Sequence, residues 1–316
     1  MIVLLRKDAE APAVKAALIA RGLWVRRVET DGADGRLAFI VDPSSAVAPI
    51  DELDQLPGVE AVLASRSPHP KVDAQATTTT RCSFSLAAGP CSVESEAQIA
   101  RLAETIAAAG GRYLRGGAFK PRTSPYAFNG HGLRALRWLR DAADGNGLSV
   151  VTEALDEGNV SAVAEVADLI QVGSRNMANY ALLRAIGQTG KPVLLKRGLA
   201  ATIDEWLLAG EHLLDAGSER VVFCERGVRH FDPTTRNCLD LGAVALLTHV
   251  HHQPVYVDPS HAAGRRDLIL PLARAAKAAG ADGLLLEVHH APGEAKSDGA
   301  QALSPVQLAE LVEQLR

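Results

Sequence analysis

Eight short apolar runs recur between Phe84 and Glu287, and each ends in a cluster of charged or small residues. In order, these ends are Gly89-Pro90-Cys91, Arg115-Gly116-Gly117, Thr152-Glu153-Ala154, Val172-Gly173-Ser174-Arg175, Leu195-Lys196-Arg197-Gly198, Cys224-Glu225-Arg226-Gly227, Asp258-Pro259-Ser260-His261 and Glu287-Val288-His289. Segments of helical periodicity lie between them, such as Glu94 to Ala109, Ile203 to Ala216 and Arg265 to Ala279. The runs are apolar on both faces, as in Val193-Leu194-Leu195 and Leu284-Leu285-Leu286, which is the pattern of parallel strands covered by helices. The alternation predicts an α/β fold, a (β/α)₈ TIM barrel over residues 83–316. In such a barrel the chemistry sits at the C-terminal ends of the strands. A doubly wound open sheet is the rival fold, but loaded ends on every successive unit favour closure.

A different pattern precedes the barrel. Apolar runs at 2–5, 24–28, 37–41 and 59–64 read as strands, with helices at 10–21 and 49–56 and a turn at Asp31-Gly32-Ala33-Asp34-Gly35. The order βαββαβ predicts a small α+β ferredoxin-like domain over residues 1–66. Residues 67–82, with Pro68, Pro70 and the run Thr77-Thr78-Thr79-Thr80, read as a linker.

The net charge of −4 gives no global basic field, so nucleic acid is not an expected partner. No window holds ~18 uninterrupted apolar residues, so no membrane span is expected. The opening Met1 to Asp8 is too short an apolar run for a secretory signal, and a cytoplasmic location is the expectation. The four cysteines, Cys82, Cys91, Cys224 and Cys238, form no CxxC pair. Buried thiols are expected for all of them, Cys91 excepted.

Cations crowd the strand ends: Arg115, Lys120, Arg122, Arg175, Lys196, Arg197, Arg226 and Arg229. If the barrel closes, they converge on one mouth, and only anions can offset their mutual repulsion. Guanidinium forks and ammonium points suit phosphate and carboxylate, so small polyanionic substrates are expected. The loop Lys120-Pro121-Arg122-Thr123-Ser124-Pro125-Tyr126 adds hydroxyls and two φ-restricting prolines, a stiff donor-rich clamp. Cys91, His261, Glu287 and Asp298 follow the first, seventh, eighth and eighth strands, which are neighbours in a closed barrel. A thiolate, an imidazole and two carboxylates suit Mn²⁺, Fe²⁺, Co²⁺ or Zn²⁺ better than Ca²⁺ or Mg²⁺. His289 and His290 are weaker candidates, and His251 and His252 fall at the wrong end of the barrel.

The strings Ala88-Gly89-Pro90-Cys91-Ser92-Val93-Glu94, Arg115-Gly116-Gly117-Ala118-Phe119-Lys120-Pro121-Arg122-Thr123-Ser124-Pro125-Tyr126, Val172-Gly173-Ser174-Arg175-Asn176, Leu195-Lys196-Arg197-Gly198, Cys224-Glu225-Arg226-Gly227 and Asp258-Pro259-Ser260-His261 resemble 3-deoxy-D-arabino-heptulosonate 7-phosphate (DAHP) synthases, type I beta, with an N-terminal ferredoxin-like regulatory domain. The resemblance spans essentially the whole chain. It implies a metal-dependent condensation of phosphoenolpyruvate with erythrose 4-phosphate, giving DAHP and phosphate at the head of the shikimate pathway. Carried over residue by residue, it implies a metal held by Cys91, His261, Glu287 and Asp298, with Mn²⁺ foremost. Arg115, Lys120 and Lys196 match the residues around the phosphoenolpyruvate carboxylate and bridging region. Gly173, Ser174, Arg175 and Arg226 match its phosphate site, and Arg122, Thr123 and Ser124 the erythrose phosphate clamp. Lys120 is the expected proton carrier, with Glu153 or His261 as partner. The resemblance further implies a homotetramer inhibited by an aromatic amino acid, tyrosine or phenylalanine. The neighbouring activity, 3-deoxy-D-manno-octulosonate 8-phosphate synthase, usually carries Lys-Ala-Asn-Arg where this chain has Lys120-Pro121-Arg122-Thr123.

Overall fold

The computed structural model describes residues 1–29, 37–42, 45–63, 67–78, 83–120, 126 and 128–316. The chain divides into two compact units, Met1–Pro68 and His69–Arg316.

The first unit is a four-stranded antiparallel sheet of β1 (Ile2–Leu5), β2 (Val25–Glu29), β3 (Leu37–Val41) and β4 (Val59–Leu63), in the order β2-β3-β1-β4. Helices Ala11–Ile19 and Ile50–Asp54 supply the crossovers of a ferredoxin-like fold. Strand alternation sets its core. Val3 and Leu5 point inward and are fully buried, and Val14, Leu18 and Leu53 of the helices close over them. The expected turn at 31–35 lies outside the described residues.

The second unit is the barrel. Its strands are β5 (Ser85–Gly89), β6 (Tyr113–Arg115), β7 (Ser149–Ala154), β8 (Leu169–Val172), β9 (Val193–Lys196), β10 (Val221–Glu225), β11 (Val255–Val257) and β12 (Gly283–Glu287). They pair in parallel in sequence order, and β12 closes on β5. Alternate side chains fill the barrel interior, among them Ala87, Val151, Leu194, Val222 and Leu285. Their neighbours Leu86, Val150, Leu195, Val221 and Leu284 face outward into the helix layer. Burial on both sides explains why the strands read as unbroken apolar runs. The helix Glu96–Ala108 shows how the outer layer is specified. Ser95 caps it by accepting from the Gln98 N–H, and Ile99, Leu102, Ala103 and Ile106 form its buried stripe. Among the described residues no helix is long and apolar enough to cross a membrane.

The expected linker at 67–82 is corrected in part: Pro70–Thr78 is a helix belonging to the barrel unit. Its sequence hides this because, among its residues of described burial, only Val72 and Gln75 are buried. Its N-terminus is also capped from afar, with the Glu211 carboxylate accepting from the backbone N–H groups of Lys71 (2.9 Å) and Val72 (2.9 Å). Gln75 reads the backbone of Val221 through both ends of its amide and donates to Gln253 Oε1 (2.8 Å). Gln253 in turn donates to the carbonyls of Val72 and His251, each at 2.9 Å. Breaking such a buried network leaves polar atoms unsatisfied. Gln253→Leu is expected to cost about 1–3 kcal/mol in urea denaturation, and an unchanged midpoint would contradict this.

Candidate active site

A cavity of about 360 Å³ opens at the C-terminal ends of the barrel strands. Cys91, Arg115, Lys120, Lys196, His261 and Asp298 line it, with Glu153, Gly173, Ser174, Arg175 and Arg226. Of the expected site residues, Arg122, Thr123 and Ser124 lie outside the described residues.

Strand pairing brings the donor set together, because β11, β12 and β5 are adjacent. One ligating atom from each of Cys91, His261, Glu287 and Asp298 lies within 4.8 Å of the others. Cys91 Sγ is 3.0 Å from Asp298 Oδ2, and His261 Nε2 is 3.2 Å from Glu287 Oε1. His261 is oriented from behind, its Nδ1 bonding Asp258 Oδ2 at 2.7 Å so that Nε2 faces the donor group. Burial lowers the His261 pKa from the ordinary imidazole value, against the charges of Asp258 and Glu287, which raise it. Glu287 is 1% exposed. Burial alone would raise its carboxyl, but the charges of His261 and Arg115 hold it below the usual range. Asp298, also opposed by burial, is held down to about 2 by the Cys91 hydrogen bond and by His261, Arg236 and Lys120. Asp298 is reached by a positive-φ turn (φ 53°). Its loop is tied back by Ser297 Oγ to Ser92 Oγ (2.6 Å) and by the Lys296 N–H donating to Glu94 (2.8 Å). A mixed thiolate, imidazole and carboxylate set on this scale fits a borderline divalent ion.

The cations divide into two groups. Arg115 donates to Glu287 Oε1 (2.9 Å) and Lys196 to Asp258 Oδ2 (2.6 Å), so both are anchored by buried carboxylates. Lys120 Nζ sits 3.0 Å from Cys91 Sγ and 2.8 Å from the Cys91 carbonyl. This approach depends on Gly117, where a Cβ would come within 2.6 Å of that carbonyl and 3.1 Å of Nζ. Arg226 is different: it is 7% exposed, and Nη1 has no hydrogen-bond partner. Ser174 Oγ and Gln171 Oε1 are buried and unpaired in the same cavity. Of these, the Arg226 guanidinium and the Ser174 hydroxyl can donate, and unsatisfied donors are what an anion site presents before its ligand arrives, whereas Gln171 Oε1 only accepts.

Arg197 is a correction to the expected ring of cations. It turns out of the mouth, bonding Glu225 Oε2 (3.1 Å), Asp240 Oδ2 (2.8 Å) and the Ala201 carbonyl, and lies over Trp206. Next to Lys196 on a strand end, it points to the opposite face by simple alternation. Cys238 is also exposed rather than buried. His289 and His290 stack on each other, 4.6 Å apart, and are not in the donor group.

Several site residues escaped the sequence reading. Asp258, fully buried, joins Lys196 to His261 and also caps the His261 backbone N–H at 2.9 Å. Its signal was present as an Asp-Pro-Ser-His helix start. Arg236 bonds Asp298 Oδ1 and Gln301, each at 3.1 Å, and Gln301 donates to Glu287 Oε2 at 2.6 Å. No local pattern marks either. Glu153 accepts from Gln171 (2.9 Å), and Gly173 makes room for it: a Cβ there would stand 2.1 Å from Glu153 Oε1. Gly173→Ala should therefore displace that carboxylate and lower kcat/KM by roughly tenfold to a hundredfold, read by steady-state kinetics. Wild-type kinetics would remove Glu153 from the reacting arrangement.

The comparisons with known proteins show the family. The model of the DAHP synthetase I family matches residues 72–316. A phospho-2-dehydro-3-deoxyheptonate aldolase of Thermotoga maritima is 49% identical over 233 residues, covering 74% of this chain and 69% of the relative. A 2-dehydro-3-deoxyphosphooctonate aldolase of Acidithiobacillus ferrooxidans is 32% identical over 237 residues, covering 69% and 83%. The crystal structure of a Thermotoga maritima DAHP synthase superposes with a TM-score of 0.77 at 38% identity, covering 99% of this chain and 95% of the other. A truncated form of the Thermotoga maritima enzyme covers 73% of this chain and 85% of its own, with a TM-score of 0.69 at 46% identity. With the barrel, the donor set and these matches in hand, the chain belongs to the DAHP synthetase I family of enzymes.

Proposed function

We propose that the protein is a metal-dependent DAHP synthase, joining phosphoenolpyruvate to erythrose 4-phosphate and releasing phosphate. The observation that carries this reading is the junction of the Cys91–His261–Glu287–Asp298 donor set with a cavity whose Arg226 and Ser174 donors lack partners. A divalent ion, Mn²⁺ foremost and Fe²⁺, Co²⁺ or Zn²⁺ as substitutes, would be held by those four residues and would polarise the aldehyde oxygen as a Lewis acid.

The chain's own groups do the rest. Arg226, Ser174, Arg175 and the Gly173 backbone suit the phosphate of phosphoenolpyruvate, while Arg115, Lys120 and Lys196 suit its carboxylate side. Arg122, Thr123 and Ser124 are proposed for the erythrose phosphate. Two mutually repelling anions are thereby held at attack distance, which bulk water does not do. C3 of phosphoenolpyruvate then bonds to the aldehyde carbon, water adds at C2, and the resulting hemiketal phosphate collapses to the ketone with loss of inorganic phosphate. Lys120 is proposed to deliver a proton to the new alkoxide, its Nζ being beside Cys91 Sγ. Glu153 or His261 would return it. The test is phosphate release with Mn²⁺ and phosphoenolpyruvate, comparing erythrose 4-phosphate with arabinose 5-phosphate. Preference for arabinose 5-phosphate would transfer the assignment to the octulosonate activity; the 49% identity to the heptonate relative against 32% to the octonate relative favours the former.

The ferredoxin-like unit is proposed to bind an aromatic amino acid, tyrosine or phenylalanine, as a feedback inhibitor of a cytoplasmic homotetramer. Its support is the 99% of this chain covered by a DAHP synthase structure, set against the 73% covered by a truncated form. Initial rates of the intact enzyme that ignore all three aromatic amino acids would remove this role.

A further inference from the structure

A second set of metal-ligating side chains lies at the N-terminal end of the barrel, away from the cavity. His69 opens the helix Pro70–Thr78, and its Nδ1 is 3.0 Å from Asp73 Oδ1 one turn on. His251 follows the helix Leu241–His249 and meets His69 edge-on, with ring centroids 5.9 Å apart and planes at 68°. One ligating atom from each of His69, Asp73 and His251 lies within 4.8 Å of the other two. We propose that these three residues form a second divalent-metal site, taking Zn²⁺ and clamping the helix Pro70–Thr78 to the floor of the barrel.

The donor chemistry suits that ion. Two imidazoles and one carboxylate, completed by a water, make a common tetrahedral zinc set. Bonds of about 2.0–2.1 Å in that geometry separate neighbouring donors by roughly 3.3 Å, close to the 3.0 Å found between His69 and Asp73.

The site is also held ready. The same helix is locked to the barrel by Gln75 and Gln253, so His69 and Asp73 have little freedom to drift from His251. The chain turns sharply after His251: His252 has φ 52°. Among the described non-glycine residues only His252 and Asp298 have positive φ. Such strain persists only where its surroundings impose it. Here it allows His251 to face His69 while Gln253 turns inward. The rival account is a hydrogen-bonded His69–Asp73 pair with ring packing and no ion.

The experiment uses the full chain, stripped of metal and titrated with Zn²⁺, counting bound ions per chain and following the melting temperature. Wild type should bind two ions, and His251→Gln one. Asp73→Asn, at a half-exposed position that folding tolerates, should weaken one of the two ions by at least about tenfold. Cys91→Ser should keep one ion and still gain melting temperature with Zn²⁺. The proposal is overturned if wild type binds one ion that Cys91→Ser loses. It also falls if His251→Gln and Asp73→Asn both keep two ions and the wild-type thermal response. The catalytic donor set fails separately, by Cys91→Ser binding as wild type does.

Discussion

Cys91→Ala is expected to lower kcat by roughly 10³-fold or more, because it removes both the proposed soft ligand and the contact that positions Lys120. Cys91 Sγ touches Asp298 Oδ2 and Lys120 Nζ, each at 3.0 Å. Burial, reinforced by the Glu287 charge, pushes its thiol up to about 11 in the metal-free chain. At neutral pH the thiol therefore keeps its proton, and metal binding must expel it. The sign follows: affinity strengthens as pH rises towards about 11, by up to about tenfold per unit. Isothermal titration with Mn²⁺ in buffers of different ionisation enthalpy counts the released proton. Affinity that is flat between about pH 6 and 8, or unchanged in Cys91→Ala, would remove Cys91 from the ligand set.

Arg115→Met should destabilise the metal-free enzyme by about 3–5 kcal/mol at neutral pH, since it strips a buried carboxylate of its partner. Arg115 is 4% exposed and donates to Glu287 Oε1 (2.9 Å) and to the Pro90 carbonyl (3.2 Å). Burial disfavours its charge, yet Glu287 holds its pKa above the ordinary value. Glu287 is held low in return, so its share of stability is present above the ordinary carboxylate pKa and is lost as pH falls through its depressed folded value. Without Arg115 that loss begins at higher pH. The gap between wild type and variant should thus be widest near pH 7 and narrow below about pH 4. Urea denaturation at the two pH values measures it. Arg115→Met with Glu287→Gln should cost less than the sum of the two changes, because they share one contact. Full additivity would mean the pair is not coupled.

Most of the barrel was legible because its information is local. The eight strands fall within a residue or two of the runs that announced them, and their ends carry Cys91, Arg115, Lys196, Arg226, His261 and Glu287 as read. A loaded strand end in a parallel barrel has only one mouth to face. The same logic failed for Arg197, one residue past Lys196 and therefore on the other side of the strand.

The sequence by itself determined the layering of this protein: period-two and period-3.6 patterns, caps and turns depend on residues a few positions apart. What only the tertiary structure decided depends on residues far apart in the chain. The helix Pro70–Thr78 has a weak apolar face and takes its N-terminal acceptor from Glu211. Asp298 is held by Arg236, which also bonds Gln301, and Asp258 reaches back 62 residues to Lys196 while holding His261. No short-range pattern encodes these contacts, because a polar side chain in a loop takes its direction from whichever partner folding brings within hydrogen-bond reach.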